Sequence, residues 1–117
     1  MKQLVRKAKI IGTGSYVPEK IYTNEYLATI SDTSPEWIER NLGIKERRIS
    51  ADNECTSDLA AQAGLRAVED SGFSIEDIDL IIVATSTPDR LAPSTAAIVQ
   101  YKIKAINAVA FDISAVC

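Results

Sequence analysis

Residues 56–72, TSDLAAQAGLRAVEDSG, followed closely by 79–86, DLIIVATS, decide how this chain folds. In the first, Leu59, Ala60, Ala63, Ala67 and Val68 recur at helical spacing and Gly72 closes the run, so the spacing predicts the longest helix of the chain. The second is a near-continuous apolar run, the pattern of a strand covered on both faces. A long helix that hands the chain to a buried strand is the repeating unit of α/β proteins. Downstream, 93–103 (PSTAAIVQYKI) opens with Pro93 and reads as a second helix despite its β-branched residues. Residues 107–113 (NAVAFDI) then read as another buried strand. Upstream, 8–14 (AKIIGTG) is a short apolar run ending in glycines, a strand that leaves into a turn. Strand, helix, strand, helix, strand is an α/β order with parallel pairing. Between the first strand and the long helix, 23–30 (TNEYLATI) opens with helix-capping residue types. Residues 34–43 (SPEWIERNLG) do so more fully, with Ser34 as N-cap, Pro35 first, Glu36 in the first turn and Gly43 as the stop.

The chain has 117 residues, enough for one domain or part of one. Its 46% hydrophobic and 25% charged residues are those of an ordinary globular protein. With 13 basic against 16 acidic residues the net charge is −3, and no dense basic block suggests a nucleic-acid surface. Lys45, Arg47 and Arg48 do crowd one segment beside Arg40. The stretch 44–49 (IKERRI) therefore reads either as an edge strand with a solvated face or as a local anion site. No run reaches the roughly 18 to 20 apolar residues of a membrane span, and the start lacks the apolar core of a signal peptide. A cytoplasmic protein, with no membrane partner, is expected. Cys55 and Cys117 are then expected as thiols and not as a disulfide. Neither has metal-ligand spacing around it, so no metal site is expected.

The chain contains no histidine, so chemistry that requires imidazole cannot be completed within it. Two residues stand out in what remains. Cys117 follows the strand 107–113 and the small residues Ser114 and Ala115. If a helix follows, its N-terminal amides lower the thiol pKa and make a nucleophile; otherwise Cys117 is a small buried apolar residue. Trp37 is the only tryptophan. On a short charged helix it is either an exposed platform for a flat ligand or a core anchor. The glycines of 12–19 (GTGSYVPE) do not make a dinucleotide loop, because the third glycine is missing and Pro18 stands where a helix should begin.

Taken together, 9–28 (KIIGTGSYVPEKIYTNEYLA), 32–39 (DTSPEWIE), 43–49 (GIKERRI), 78–89 (IDLIIVATSTPD), 93–97 (PSTAA) and 110–117 (AFDISAVC) resemble the N-terminal part of the β-ketoacyl-acyl-carrier-protein synthase III family, condensing enzymes of the thiolase superfamily. The resemblance covers nearly the whole chain. It implies a thiolase-like α/β fold with a mixed, mostly parallel sheet covered by helices, the chain being its N-terminal segment. It also implies that Cys117 is the nucleophile that takes an acyl group from acyl-CoA, before condensation with malonyl-acyl carrier protein releases carbon dioxide. The family's histidine and asparagine come from the second half of its fold. Trp37 inherits stacking on the adenine of coenzyme A, with Thr33 close to the same ligand. Where the family carries Arg-Thr-Gly, this chain has Asn41-Leu42-Gly43 with Arg40 one place earlier, about 100° round a helix. In 90–94 (RLAPS), Ala92 replaces a common aromatic near the primer pocket and dimer contact. The implied partners are acyl-CoA as substrate, malonyl-acyl carrier protein and a second copy in a homodimer, with no bound cofactor. A non-catalytic dimerisation or carrier-protein-binding module, and an acyltransferase without decarboxylation, are the alternatives.

Overall fold

The computed structural model describes residues 7–115. In chain order its elements are β1 (Lys20–Thr23), α1 (Asn24–Ile30), α2 (Pro35–Leu42), β2 (Glu46–Ile49), α3 (Thr56–Ser71), a 3₁₀ turn (Ile75–Asp77), β3 (Leu80–Ala84), α4 (Thr95–Ile103) and β4 (Val109–Ile113). They divide into two compact units. One is Val17–Cys55, and the other joins the chain up to Tyr16 to everything from Thr56 onward.

Local chemistry explains the elements of the Val17–Cys55 unit. Thr23 Oγ1 accepts from the Tyr26 amide at 3.3 Å and so starts α1. Ser34 Oγ accepts from the Trp37 amide at 3.1 Å, Pro35 occupies the first helical position, and α2 ends where Gly43 turns left-handed at φ 67°. The Gly43 amide closes the cap on Glu39 O at 2.9 Å. β1 and β2 pair antiparallel, from Lys20 opposite Ile49 to Thr23 opposite Glu46. The edge strand expected at 44–49 is thus β2, and its partner Lys20–Thr23 was not foreseen.

The second unit holds the expected helix–strand–helix–strand run. β3 and β4 pair in parallel, from Leu80 opposite Val109 to Ala84 opposite Ile113. α3 closes at Gly72, φ 71°, and Ser94 caps α4 by accepting from the Ala97 amide. The core is built of Ala61, Val83, Ala96, Val99, Ile103, Ala105 and Ala108, with Ile81 and Ala110 packed against it. α3 and α4 touch each other through their small residues, so both lie on one side of the pair. Strand residues alternate between faces, and Leu80, Ile82, Val109, Phe111 and Ile113 are left exposed on the other. Among the described residues the helices thus cover one face of 79–86.

One expectation is corrected: 8–14 forms no strand among the described residues. Its backbone groups and glycines are turned to α3 instead of to a ladder. The Thr13 amide donates to Asp70 Oδ2 at 2.9 Å, and Arg66 donates to Ser15 O at 2.6 Å while its guanidinium lies 5.3 Å from the Tyr16 ring centre. A Cβ on Gly12 would stand 2.4 Å from Ala67 O, and one on Gly14 2.3 Å from Ala63 O. Only glycine lets the segment pass this close to the helix backbone. The α/β class stands, with the described strands shared between one antiparallel and one parallel pair.

Candidate functional site

In open α/β sheets ligands bind beyond the carboxyl ends of the parallel strands. Here β3 and β4 end side by side, the Thr85 amide donating to Ile113 O at 3.0 Å. A pocket of about 290 Å³ opens there, lined by Ala84, Thr85, Ser86 and Ala115. Small side chains at both strand ends leave the backbone approachable. Cys117 lies two positions beyond Ala115 and outside the described residues.

The surroundings of this pocket are organised by two aspartates, Asp89 and Asp112, that lie within quoted motifs but were not named as site residues from the sequence. Asp112, on β4, turns its carboxylate to the start of α4: Oδ2 accepts from the Thr95 amide at 2.7 Å and Oδ1 from the Ala96 amide at 2.6 Å. With Ser94 on the Ala97 amide, three successive free amides of that helix end are satisfied. Asp89 does the same for α3, Oδ1 accepting from the Ser57 amide at 2.9 Å. Lys102 ties α4 to α3, donating to Ser57 Oγ at 2.6 Å and Asp58 Oδ1 at 2.5 Å. A signal existed in the sequence. A carboxylate inside the apolar run 107–113 needs donors, because an unpaired buried charge is costly. Ala92 sits in the connection between β3 and α4 and is exposed.

The residues expected to hold coenzyme A are all in the Val17–Cys55 unit. Thr33, half-buried, precedes the cap of α2, and Trp37 and Arg40 follow on that helix, both exposed. Trp37 is 51% exposed, while its neighbour Ile38, at 4%, is the residue α2 buries. The core-anchor reading of Trp37 is thereby corrected. Arg40 is three residues on from Trp37, a spacing that puts both on one side of a helix. Asn41 Nδ2 donates to Trp37 O at 2.8 Å. The anion site considered for Lys45, Arg47 and Arg48 does not form as a free cluster. Arg47 donates to Asn24 Oδ1 at 2.9 Å and to Tyr22 O at 3.4 Å, and Arg48 donates to Pro18 O at 3.1 Å beside Glu46. Nearby, Lys20 lies 4.9 Å from the Tyr22 ring centre, and Tyr22 lies 4.4 Å from Tyr26. Hydrogen bonding between Lys20 and Tyr22 holds the lysine above and the phenol below their ordinary pKa values, and Tyr22 in turn pushes Tyr26 up. Cys55 is exposed and in no disulfide.

No protein-family model matches the chain. Individual proteins do. The β-ketoacyl-[acyl-carrier-protein] synthase III of Clostridium acetobutylicum is 62% identical over 113 residues, covering 97% of this chain and 34% of the relative. That of Clostridioides difficile is 57% identical over 111 residues, covering 95% and 34%. Among solved structures, 3-oxoacyl-[acyl-carrier-protein] synthase III from Aquifex aeolicus aligns with a TM-score of 0.88 at 50% identity, over 92% of this chain and 34% of that one. The priming β-ketosynthase of the R1128 polyketide pathway also reaches 0.88, at 34% identity, over 92% and 32%. The chain spans about a third of the length of the curated relatives it matches. Described residues include no helix long and apolar enough to cross a membrane. With such identity over nearly all of its residues and the same fold, the chain belongs to the β-ketoacyl-[acyl-carrier-protein] synthase III family.

Proposed function

We propose that this chain is the acyl-accepting segment of a cytoplasmic, homodimeric condensing enzyme of fatty acid or related polyketide biosynthesis. The observation that carries this reading is the small-residue pocket at the carboxyl ends of a parallel strand pair, two positions before a thiol. The Cys117 thiolate attacks the thioester carbonyl of acyl-CoA, the tetrahedral intermediate expels the coenzyme A thiolate, and that thiolate takes up a proton. Malonyl-acyl carrier protein then loses carbon dioxide, and its carbanion attacks the Cys117 thioester and releases the thiolate. Covalent catalysis divides one hard bond formation into two easier steps. Stabilising the carbanion falls to groups from the remaining two thirds of the synthase, since this chain has no imidazole. Trp37 stacks on the adenine, Thr33 and Arg40 contact the nucleotide beside it, and Ala92 borders the primer pocket. The half-exposed indole supports that assignment, because a stacking face must be open. No cofactor beyond the substrate thioester is required.

Timed alkylation of the full-length synthase, followed by peptide mapping, tests the reading. Cys117 is expected to label faster than Cys55 at neutral pH, as an activated nucleophile reacting through its thiolate would. Acyl-CoA should protect it, and Cys117→Ser should abolish acyl transfer. Cys55 labelling first, with neither thiol protected, overturns the assignment.

A further inference from the structure

The connection between β3 and α4 is long for its kind. It runs from Thr85 to Ser94, where connections between strand and helix in α/β units commonly take about 2 to 6 residues. Its base walls the pocket of about 290 Å³ through Thr85 and Ser86. Its tip carries Leu91 and Ala92, both exposed. Between base and tip the loop is held at Asp89. Asp89 Oδ1 accepts from the Ser57 amide at 2.9 Å, and the Asp89 amide donates to Thr95 Oγ1 at 3.3 Å. Both partners are fully buried, at 0% exposure, so the anchorage is to fixed points of the core. Thr56 Oγ1 adds a bond to Thr87 O at 2.7 Å, and the Thr87 amide folds back on Thr85 Oγ1 at 3.0 Å. One side chain thus pins the middle of the loop to α3 while its own amide pins it to α4.

We propose that Asp89 is a positioning residue for acyl selection: by anchoring the 85–94 loop to α3 and α4 it fixes the wall of the pocket at Thr85 and Ser86 and the place of Ala92 at the tip. This rests on the acyl-transfer reading above. Releasing the anchor lets the loop yield to bulk, so the discrimination between a short and a branched primer changes while the chemical groups of the site stay in place.

The test compares acetyl-CoA and isobutyryl-CoA as primers in the full-length synthase, as the ratio of their kcat/KM values, with thermal midpoints measured alongside. Asp89→Ala, which removes the acceptor, should move the ratio toward the branched primer by about tenfold, the scale on which small pocket changes discriminate. Asp89→Asn, which keeps an oxygen for the Ser57 amide, should stay close to the parent ratio. If Asp89→Ala does not fold, Thr95→Val carries the test, since it removes the acceptor of the Asp89 amide at nearly constant shape, and a shift in the same direction supports the proposal. A contact that only holds the fold together lowers the midpoint and slows both primers alike, and an unchanged ratio in folded variants overturns the proposal alone. A parent enzyme that takes an acyl group from neither primer overturns the acyl-transfer reading, and this proposal with it.

Discussion

Trp37 and Ile38 are adjacent in sequence and opposite in exposure. The indole is 51% exposed and Ile38 is 4% exposed. Truncating Trp37 therefore removes exposed ring surface, the face proposed above to stack, and little packing. Trp37→Ala is expected to weaken coenzyme A binding by about 1 to 3 kcal/mol and to leave the thermal midpoint nearly unchanged, which titration calorimetry and a melting curve check together. Ile38→Ala should do the reverse, losing about 2 to 5 kcal/mol of stability. The glycines make a second contrast. An alanine methyl at Gly14 would meet Ala63 O at 2.3 Å, whereas one at Gly64, in the middle of α3, would meet nothing within 4 Å. Gly14→Ala should cost about 1 to 3 kcal/mol through forced backbone shifts, and Gly64→Ala should add roughly 0.5 to 1 kcal/mol from helix propensity. Denaturant midpoints of the two variants must move in opposite directions.

Among the elements, α4 depends most on a partner outside itself. Its first two amides are held by the two oxygens of Asp112, on β4, and the third by its own Ser94. Asp112→Ala leaves two amides at a part-buried helix end without acceptors and is expected to cost about 1 to 3 kcal/mol for the first of them alone. Asp112→Asn, which keeps one oxygen, should cost less. Hydrogen exchange at Thr95 and Ala96 reads the effect directly, because their protection should fall before that of the α3 amides. Equal loss of protection in both helices would mean that the carboxylate stabilises the unit as a whole and not the end of α4.

At the scale of the molecule, the open face of the β3–β4 pair decides behaviour in solution. Leu80, Ile82, Val109, Phe111 and Ile113 form one apolar surface, each residue 41 to 66% exposed among the described residues. Contiguous apolar surface of this kind associates. The 117-residue chain by itself is expected to self-associate with concentration in sedimentation velocity, and Phe111→Lys should reduce that association. The same chain should form no ketoacyl product from acyl-CoA and malonyl-acyl carrier protein, since nothing in it replaces imidazole. Product above the no-protein blank overturns this expectation.

What the sequence determined by itself was local. Thr23, Ser34, Pro35, Gly43 and Gly72 mark helix ends through bonds that span a few residues, so their positions are legible in the order of residues alone. The helical stripe of 56–72 and the apolar runs of 79–86 and 107–113 carry their own periodicity, and those elements formed. The tertiary structure decided what depends on distant partners. Whether 8–14 is a strand depends on a neighbour to pair with, and here its donors and glycines are taken up by α3. Whether a strand is covered on one face or two depends on where the helices come to rest. Asp112 finds its donors 16 and 17 residues back, and Asp89 finds one 32 residues away. No local pattern encodes such pairings, because a carboxylate's partner is fixed only when packing brings a helix end to it.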